Sequence, residues 1–283
     1  MRGFLLLWLF LSAGCLCAAE RPLVYAGLPP ESWLVRRLAG GRVDVGLLLA
    51  PGQNPHTYEP TARQAAELAR ARLLLTMGMP FERLVAAKAR AVNAGLVVRD
   101  VSSGVPRRQD AAHGGDPDDP ADGTDPHVWT APLFMAAMAT NTAAALAACD
   151  PAGWDVYTSE LARVTAALSR LQADLQARLA PVRGRVLLTY HASWGYFADA
   201  YGLRQVCVEA EGRAPSARQL SAVVDLARRE RVRTVFVDRA FDPKPARTVA
   251  RQIGADVVVV DPLAENWDAN LREVAEQVRK AVE

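Results

Sequence analysis

The chain has 283 residues, about half of them apolar, and a formal net charge of +2 from nearly balanced acidic and basic side chains. Such a composition can bury a core of domain size and argues against intrinsic disorder. It also lacks the clustered basic footprint of a nucleic-acid binder, so nucleic acid is excluded from the expected partners.

Met1-Arg2-Gly3 followed by the apolar run 4–11 reads as a positive n-region and a hydrophobic segment too short to span a bilayer. Residues 1–19 are therefore expected to be a signal peptide that directs the protein to the periplasm. Two exits follow it. Leu11-Ser12-Ala13-Gly14-Cys15 has the outline of a lipoprotein box, with Ser12 where an aliphatic residue is usual, while Cys17-Ala18-Ala19 before Glu20 offers a small-residue cleavage site. Lipidation at Cys15 and cleavage near Ala19 stand as alternatives. No later stretch reads as apolar enough for a membrane span.

From Pro22 onward, short β-rich runs alternate with helical patterns, the mark of parallel sheets built from βαβ units. Runs 24–26, 43–50, 73–77 and 96–98 predict four strands in an N-terminal lobe of residues 20–149. Asn54-Pro55-His56-Thr57-Tyr58-Glu59-Pro60 follows the second run, which puts His56 beyond the carboxyl end of a strand, where open α/β sheets gather ligands. Segment 107–125 holds six aspartates and His113 with almost nothing apolar, so it cannot pack. It is either a solvated insertion or a weak collector of cations beside a tighter site. Asp125-Pro126-His127-Val128-Trp129 closes it, and an Ala-rich helix then runs to Cys149.

Residues 150–181 predict one long helix: Tyr157, Leu161, Val164, Leu168, Leu171 and Leu175 recur at spacings of four and three. Asp150 and Pro151 are its expected N-cap and first-turn proline, and Pro181 with Gly184 ends it. The C-terminal lobe, 182–283, has strand runs at 185–190, 205–208, 234–237 and 257–260. His191 in Tyr190-His191-Ala192-Ser193-Trp194 follows the first of these, and Asp261-Pro262 exits the last. The expected fold is thus α/β: two similar lobes, each a mainly parallel four-stranded sheet flanked by helices, joined by one rigid helix. With only Cys149 and Cys207 left beyond the leader, a single disulfide is the most the chain can form, and each cysteine reads better as a small residue in apolar surroundings.

Three of the four histidines therefore stand at strand or loop exits. Imidazole suits zinc and related borderline ions, and three imidazoles with one carboxylate make a closed tetrahedral set. Asp261 is the natural carboxylate, although an aspartate before proline also serves as a turn cap. Glu59 and Asp238 are alternatives for the same position.

The stretches Asn54-Pro55-His56-Thr57-Tyr58-Glu59, Asp125-Pro126-His127-Val128-Trp129, Tyr190-His191-Ala192-Ser193-Trp194-Gly195-Tyr196-Phe197 and Val258-Val259-Val260-Asp261-Pro262-Leu263, with the segment 211–220, resemble the zinc and manganese group of ABC-transporter solute-binding proteins. The resemblance runs from about Leu23 to the C-terminus. It implies metal ligands at His56 and His127 from the N-terminal side and at His191 and Asp261 from the C-terminal lobe, closing on one ion. The cargo implied is Zn2+, with Mn2+ as the alternative. Manganese members carry a carboxylate where this chain has His191, and harder ions prefer oxygen. The implied partners are the divalent metal ion and an ABC permease of the inner membrane, with the protein itself a monomer and not an enzyme. Two departures stand out: the loop before His127 is acidic rather than His-rich, and neither cysteine fits the disulfide some relatives hold. The competing reading, a zinc-dependent hydrolase with water as fourth ligand, finds no HExxH or GxSxG motif. An adhesin has no independent binding patch in the sequence, and a siderophore or cobalamin binder has no need of converging imidazoles. Because metal displaces protons from its ligands, affinity is expected to fall as pH drops through the histidine range near about 6.5.

Overall fold

The computed structural model describes residues 20–109, 124–209 and 214–282. The leader, Cys15, His113 and most of the acidic segment lie outside the described residues. The N-terminal half runs β1 (Leu23–Ala26), α1 (Pro29–Ala39), β2 (Asp44–Leu47), α2 (Ala62–Leu68), β3 (Leu73–Thr76), α3 (Pro80–Val92), β4 (Val97–Asp100) and α4 (Pro132–Cys149). The long helix α5 (Trp154–Leu179) follows. The second half runs β5 (Val186–Thr189), α6 (Gly195–Tyr201), β6 (Arg204–Cys207), α7 (Ala217–Arg229), β7 (Thr234–Asp238), α8 (Pro243–Ile253), β8 (Asp256–Val260) and α9 (Trp267–Val282).

All pairings between these strands are parallel, in the orders β2-β1-β3-β4 and β6-β5-β7-β8, so the two halves repeat one topology. Each predicted strand is found within its expected run or within a residue or two of it. The central strands β3, β5 and β7 are buried along their whole length, as parallel strands covered on both faces must be. Alternation sorts their side chains between two layers. Val186, Leu188, Val235 and Val237 pack with Ala227, Ala246, Val249 and Ala250 from α7 and α8, while Leu187 and Phe236 face the core shared with the other lobe.

Helix α5 buries Tyr157, Val164, Leu168, Leu171 and Leu175, the expected stripe, and adds Leu179; Leu161 is partly buried. Its 26 residues span roughly 39 Å at about 1.5 Å each. The expected cap is not found. Pro151–Gly153 forms a separate 3-10 turn, Gly153 precedes the helix, and the Asp150 carboxylate instead accepts Arg42 Nε at 2.7 Å and the Tyr157 hydroxyl at 2.7 Å. A charge-assisted guanidinium bond is stronger than a bond from a neutral backbone N–H, so the aspartate ties α5 to the chain after α1 rather than capping it.

Helix α4 corrects a second expectation. Its 18 residues are long and apolar enough, by length and composition alone, to cross a membrane. Half of the helix is buried within the protein, including Met135, Met138, Ala139 and Leu146, and its eight alanines let it sit closely against α5 and α1. Cys149 and Cys207 form no disulfide with each other, and both are half-buried; the Cys207 thiol donates to the Tyr190 carbonyl at 2.9 Å.

One hydrophobic core runs through both halves. Three indoles stitch it across the boundary: Trp33 Nε1 donates to Asp268 at 3.1 Å, Trp129 Nε1 to the Pro262 carbonyl at 2.9 Å, and Trp267 Nε1 to the Trp129 carbonyl at 2.8 Å. The Trp33 and Trp267 rings lie 5.0 Å apart. Burying an aromatic body while its N–H keeps a partner gives area without an unsatisfied donor.

Beneath the ends of β1 and β3 lies a buried carboxyl pair. Glu31 and Glu82 are both fully buried and both abut Gly27: Glu31 accepts the Gly27 N–H, and a Cβ on Gly27 would overlap the Glu82 carboxyl. Glu82 Oε2 also gathers the N–H groups of Met77, Gly78 and Met79, each at 2.9 Å. Burial pushes Glu82 up to about 8 against the pull of those N–H groups, with the charge of Asp100 adding to the rise. Burial and the neighbouring Glu82 charge push Glu31 well above the carboxylate range. The folded state therefore binds more protons than the unfolded chain from about pH 4.5 upward. Stability is full below that value and falls as pH rises through about 8, by at most about 1.4 kcal/mol per pH unit for each proton held. Urea unfolding of the wild type at stepped pH should show this decline, with a shallower slope in Glu31→Gln; identical flat profiles would contradict the shared burial.

Candidate metal centre

The carboxyl ends of the two sheets face one small cavity lined by His56, His127, His191 and Asp261 together with Asp238 and Phe241. Its free volume is about 20 Å³. That is room for an ion or a water and far below the roughly 300 Å³ at which small-molecule pockets begin. A siderophore or cobalamin does not fit.

Each ligand candidate is set by local chain chemistry. Asn54 caps the turn Pro55–Thr57 by accepting the His56 N–H at 2.9 Å, and this leaves His56 at the exposed rim. His127 is buried just ahead of the turn Val128–Thr130; Asp125 Oδ1 takes its backbone N–H and its ring Nδ1, both at 2.8 Å. His191, also buried, has its Nδ1 2.8 Å from Glu209 Oε2. With a carboxylate on Nδ1, the proton of a neutral imidazole belongs on that nitrogen and the lone pair on Nε2, the arrangement of carboxylate–histidine–metal triads.

Ring geometry tells the same story. His191 lies 5.4 Å from His56 and 5.4 Å from His127, centre to centre. Two imidazoles bound through nitrogen to one tetrahedral ion at about 2.0–2.1 Å have ring centres roughly 5 Å apart. Phe241 stacks on His191 at 4.7 Å and fixes its plane. As they stand, the described His, Cys, Asp and Glu side chains form no group of three or more close enough to hold an ion, so the four candidates converge without being a finished coordination shell. Part of the reason lies at Asp261, whose Oδ1 accepts the Leu263 N–H at 2.9 Å and whose Oδ2 lies 3.3 Å from Arg239 Nε.

Of the two alternative carboxylates, Glu59 is exposed and does not line the cavity. Asp238 does line it, but its oxygens accept the Ser193 hydroxyl and Trp194 Nε1. Burial raises its pKa, opposed by His191 and by those two donors. Burial also raises Asp261, against the Leu263 N–H and Arg239. At His191 burial works downward, yet the Glu209 hydrogen bond with the charges of Asp238, Glu209 and Asp125 outweighs it and lifts the imidazole above its ordinary value.

The sequence reading missed the carboxylates behind the imidazoles. Asp125 was legible in principle, since an Asp two residues before a turn is an Asx-turn signal. Glu209 needed the strand pairing: Thr189 sits opposite Cys207 in register, so His191 and Glu209, each two residues further on, emerge side by side.

The site also holds the stem of the acidic segment. Gln109 and Thr124 form an antiparallel bridge, and the Tyr196 hydroxyl from the other lobe accepts the Arg108 N–H at 2.9 Å and donates to the Asp125 carbonyl at 2.8 Å. Arg108 further pairs with Asp199 on α6 at 3.0 Å.

Comparison with known proteins agrees with this architecture. The model of the family described as periplasmic zinc-uptake complex component A, ZnuA, matches residues 24–281. The high-affinity zinc uptake system protein ZnuA of Paracoccus denitrificans is 28% identical over 258 residues, covering 80% of this chain and 78% of that one. The manganese ABC transporter substrate-binding lipoprotein PsaA of Streptococcus pneumoniae is 24% identical over 277 residues, covering 87% and 86%. A crystal structure of ZnuA superposes with a TM-score of 0.86 at 32% identity, covering 93% of this chain and all of the other.

If the Nδ1 carboxylates orient the imidazoles, Asp125→Asn and Glu209→Gln should each lower affinity for Zn2+ by about 10- to 100-fold in chelator competition, with circular dichroism unchanged. Wild-type affinity in both variants would remove them from the centre.

Proposed function

The chain belongs to the periplasmic zinc-uptake complex component A family, a non-enzymatic, extracytoplasmic metal-binding component of ABC importers, and we propose that its cargo is Zn2+ held by His56, His127, His191 and Asp261. One observation carries this reading: three imidazoles from separate elements converge on a cavity the size of one ion, two of them backed by carboxylates on Nδ1.

Zinc is favoured over manganese because His191 brings a third nitrogen ligand to a set with one carboxylate, and Mn2+ is better served by oxygen. Two buried imidazoles, one imidazole at the rim and one carboxylate give zinc its tetrahedral shell. The imported ion is delivered to a permease in the inner membrane. The lobe that supplies His56 and His127 comprises residues 20–149, the linking helix 150–181, and the lobe that supplies His191 and Asp261 residues 182–283. The shared core and the indole bonds between the halves suit a rigid binder that keeps its lobes in register around the ion. The secreted form is a monomer, released from residues 1–19 by cleavage near Ala19 or anchored by lipid at Cys15.

Titrating the leaderless protein with Zn2+ and Mn2+ tests the assignment. Zn2+ should bind more tightly. His191→Ala should lose about 10²-fold or more, a quarter share of the roughly 10–16 kcal/mol of a complete zinc site. His191→Glu should move the preference toward Mn2+. Weak and equal binding of both ions, untouched by either substitution, would sink the proposal.

A further inference from the structure

The position after β7 carries a charge that the four-ligand reading does not use. Asp238 and Val260 are partners in the β7–β8 register, so the next residues, Arg239 and Asp261, leave the sheet side by side. The Arg239 N–H donates to the Val260 carbonyl at 2.8 Å, which locks its backbone to the exit of β8. Its neighbours Asp238, Ala240 and Phe241 line the cavity. The guanidinium Nε then lies 3.3 Å from Asp261 Oδ2.

From this geometry we propose that Arg239 is a resident counter-cation of the metal site, which holds Asp261 until a divalent ion displaces it and thereby selects against ions that depend on the carboxylate. The inference rests on the reading of Asp261 as a ligand. A guanidinium is charged at every working pH, so this competition is permanent, unlike that of a proton. It is also readily reversed: the Arg239 side chain is 64% exposed while Asp261 is 17% exposed, so the guanidinium approaches from the solvent side and returns to water when the ion takes its place.

Selectivity follows from the donor set. Any ion that uses Asp261 must first part it from Arg239. Zn2+ can begin its shell on the three imidazoles and recruit the carboxylate last. Mn2+, which draws more of its binding from oxygen, meets the full competition at its preferred donor. Arg239 thus lowers affinity overall, lowers it more for the harder ion, and hastens release by offering Asp261 a replacement partner.

Chelator competition and stopped-flow release with Zn2+ and with Mn2+ on the leaderless protein test this, using wild type, Arg239→Gln, Arg239→Lys, Asp261→Asn and the double variant. Arg239→Gln should tighten binding by about two- to fivefold, the scale of an exposed ion pair. The gain should be larger for Mn2+, release should be slower, and Arg239→Lys should stay nearer the wild type. In the Asp261→Asn background the Arg239→Gln effect should vanish. Unchanged or weaker binding in Arg239→Gln, while Asp261→Asn weakens binding, would overturn the role of Arg239 and leave the ligand reading standing. Unchanged binding of both ions in Asp261→Asn would overturn the ligand assignment itself, and this inference with it.

Discussion

The shared apolar core is the constraint from which the rest of the molecule follows. Two βαβ sheets of identical strand order could have been separate domains on a tether, free to swing. Here Trp33, Trp129 and Trp267 pack at the boundary with their N–H groups bonded across it, and α5 lays one continuous stripe along both halves. Opening the boundary would expose three indoles and break three buried or part-buried hydrogen bonds together. The two sets of strand ends are therefore held facing each other, and a cavity of about 20 Å³ can be kept at atomic size.

Within that frame the site has two layers. The inner layer is the imidazoles and Asp261. The outer layer decides what they can do: Asp125 and Glu209 set the tautomers, Phe241 fixes the plane of His191, and Ser193 with Trp194 keeps Asp238 turned to its own hydrogen bonds. The outer layer also explains the lifted His191 pKa, since a carboxylate that orients an imidazole stabilises its protonated form as well. Orientation toward metal and affinity for protons come from the same bond.

Much of this was legible in the sequence because it is written in local pattern. Apolar runs of three to eight residues gave all eight of the described strands, and the period of the α5 stripe gave the face it buries. The positions of His56, His191 and Asp261 after strand ends followed from that pattern alone. What local pattern cannot carry is pairing between distant residues. Asp150 looked like a helix cap because Pro151 follows it, yet Arg42, far back in the chain, claims its carboxylate. Glu209 and Arg239 became meaningful only once the sheet order and register were known. Glu31 reads as an ordinary acidic residue in a first helical turn, and only the fold reveals that it is buried against a second carboxyl. In α4 the apolar length passed unnoticed because small alanines dilute the signal, and the fold uses those alanines for close helix packing.

The hydroxyl of Tyr196 bonds both sides of the acidic segment's stem, at Arg108 and at Asp125, beside a bridge that already joins Gln109 to Thr124. These bonds fix the backbone just ahead of His127 from the described side of the stem. The entropy of closing a loop grows only with the logarithm of its length, about 0.6 kcal/mol for each doubling. A change in length between Gln109 and Thr124 therefore costs little closure entropy, while the stem's own bonds stay with the imidazole behind it.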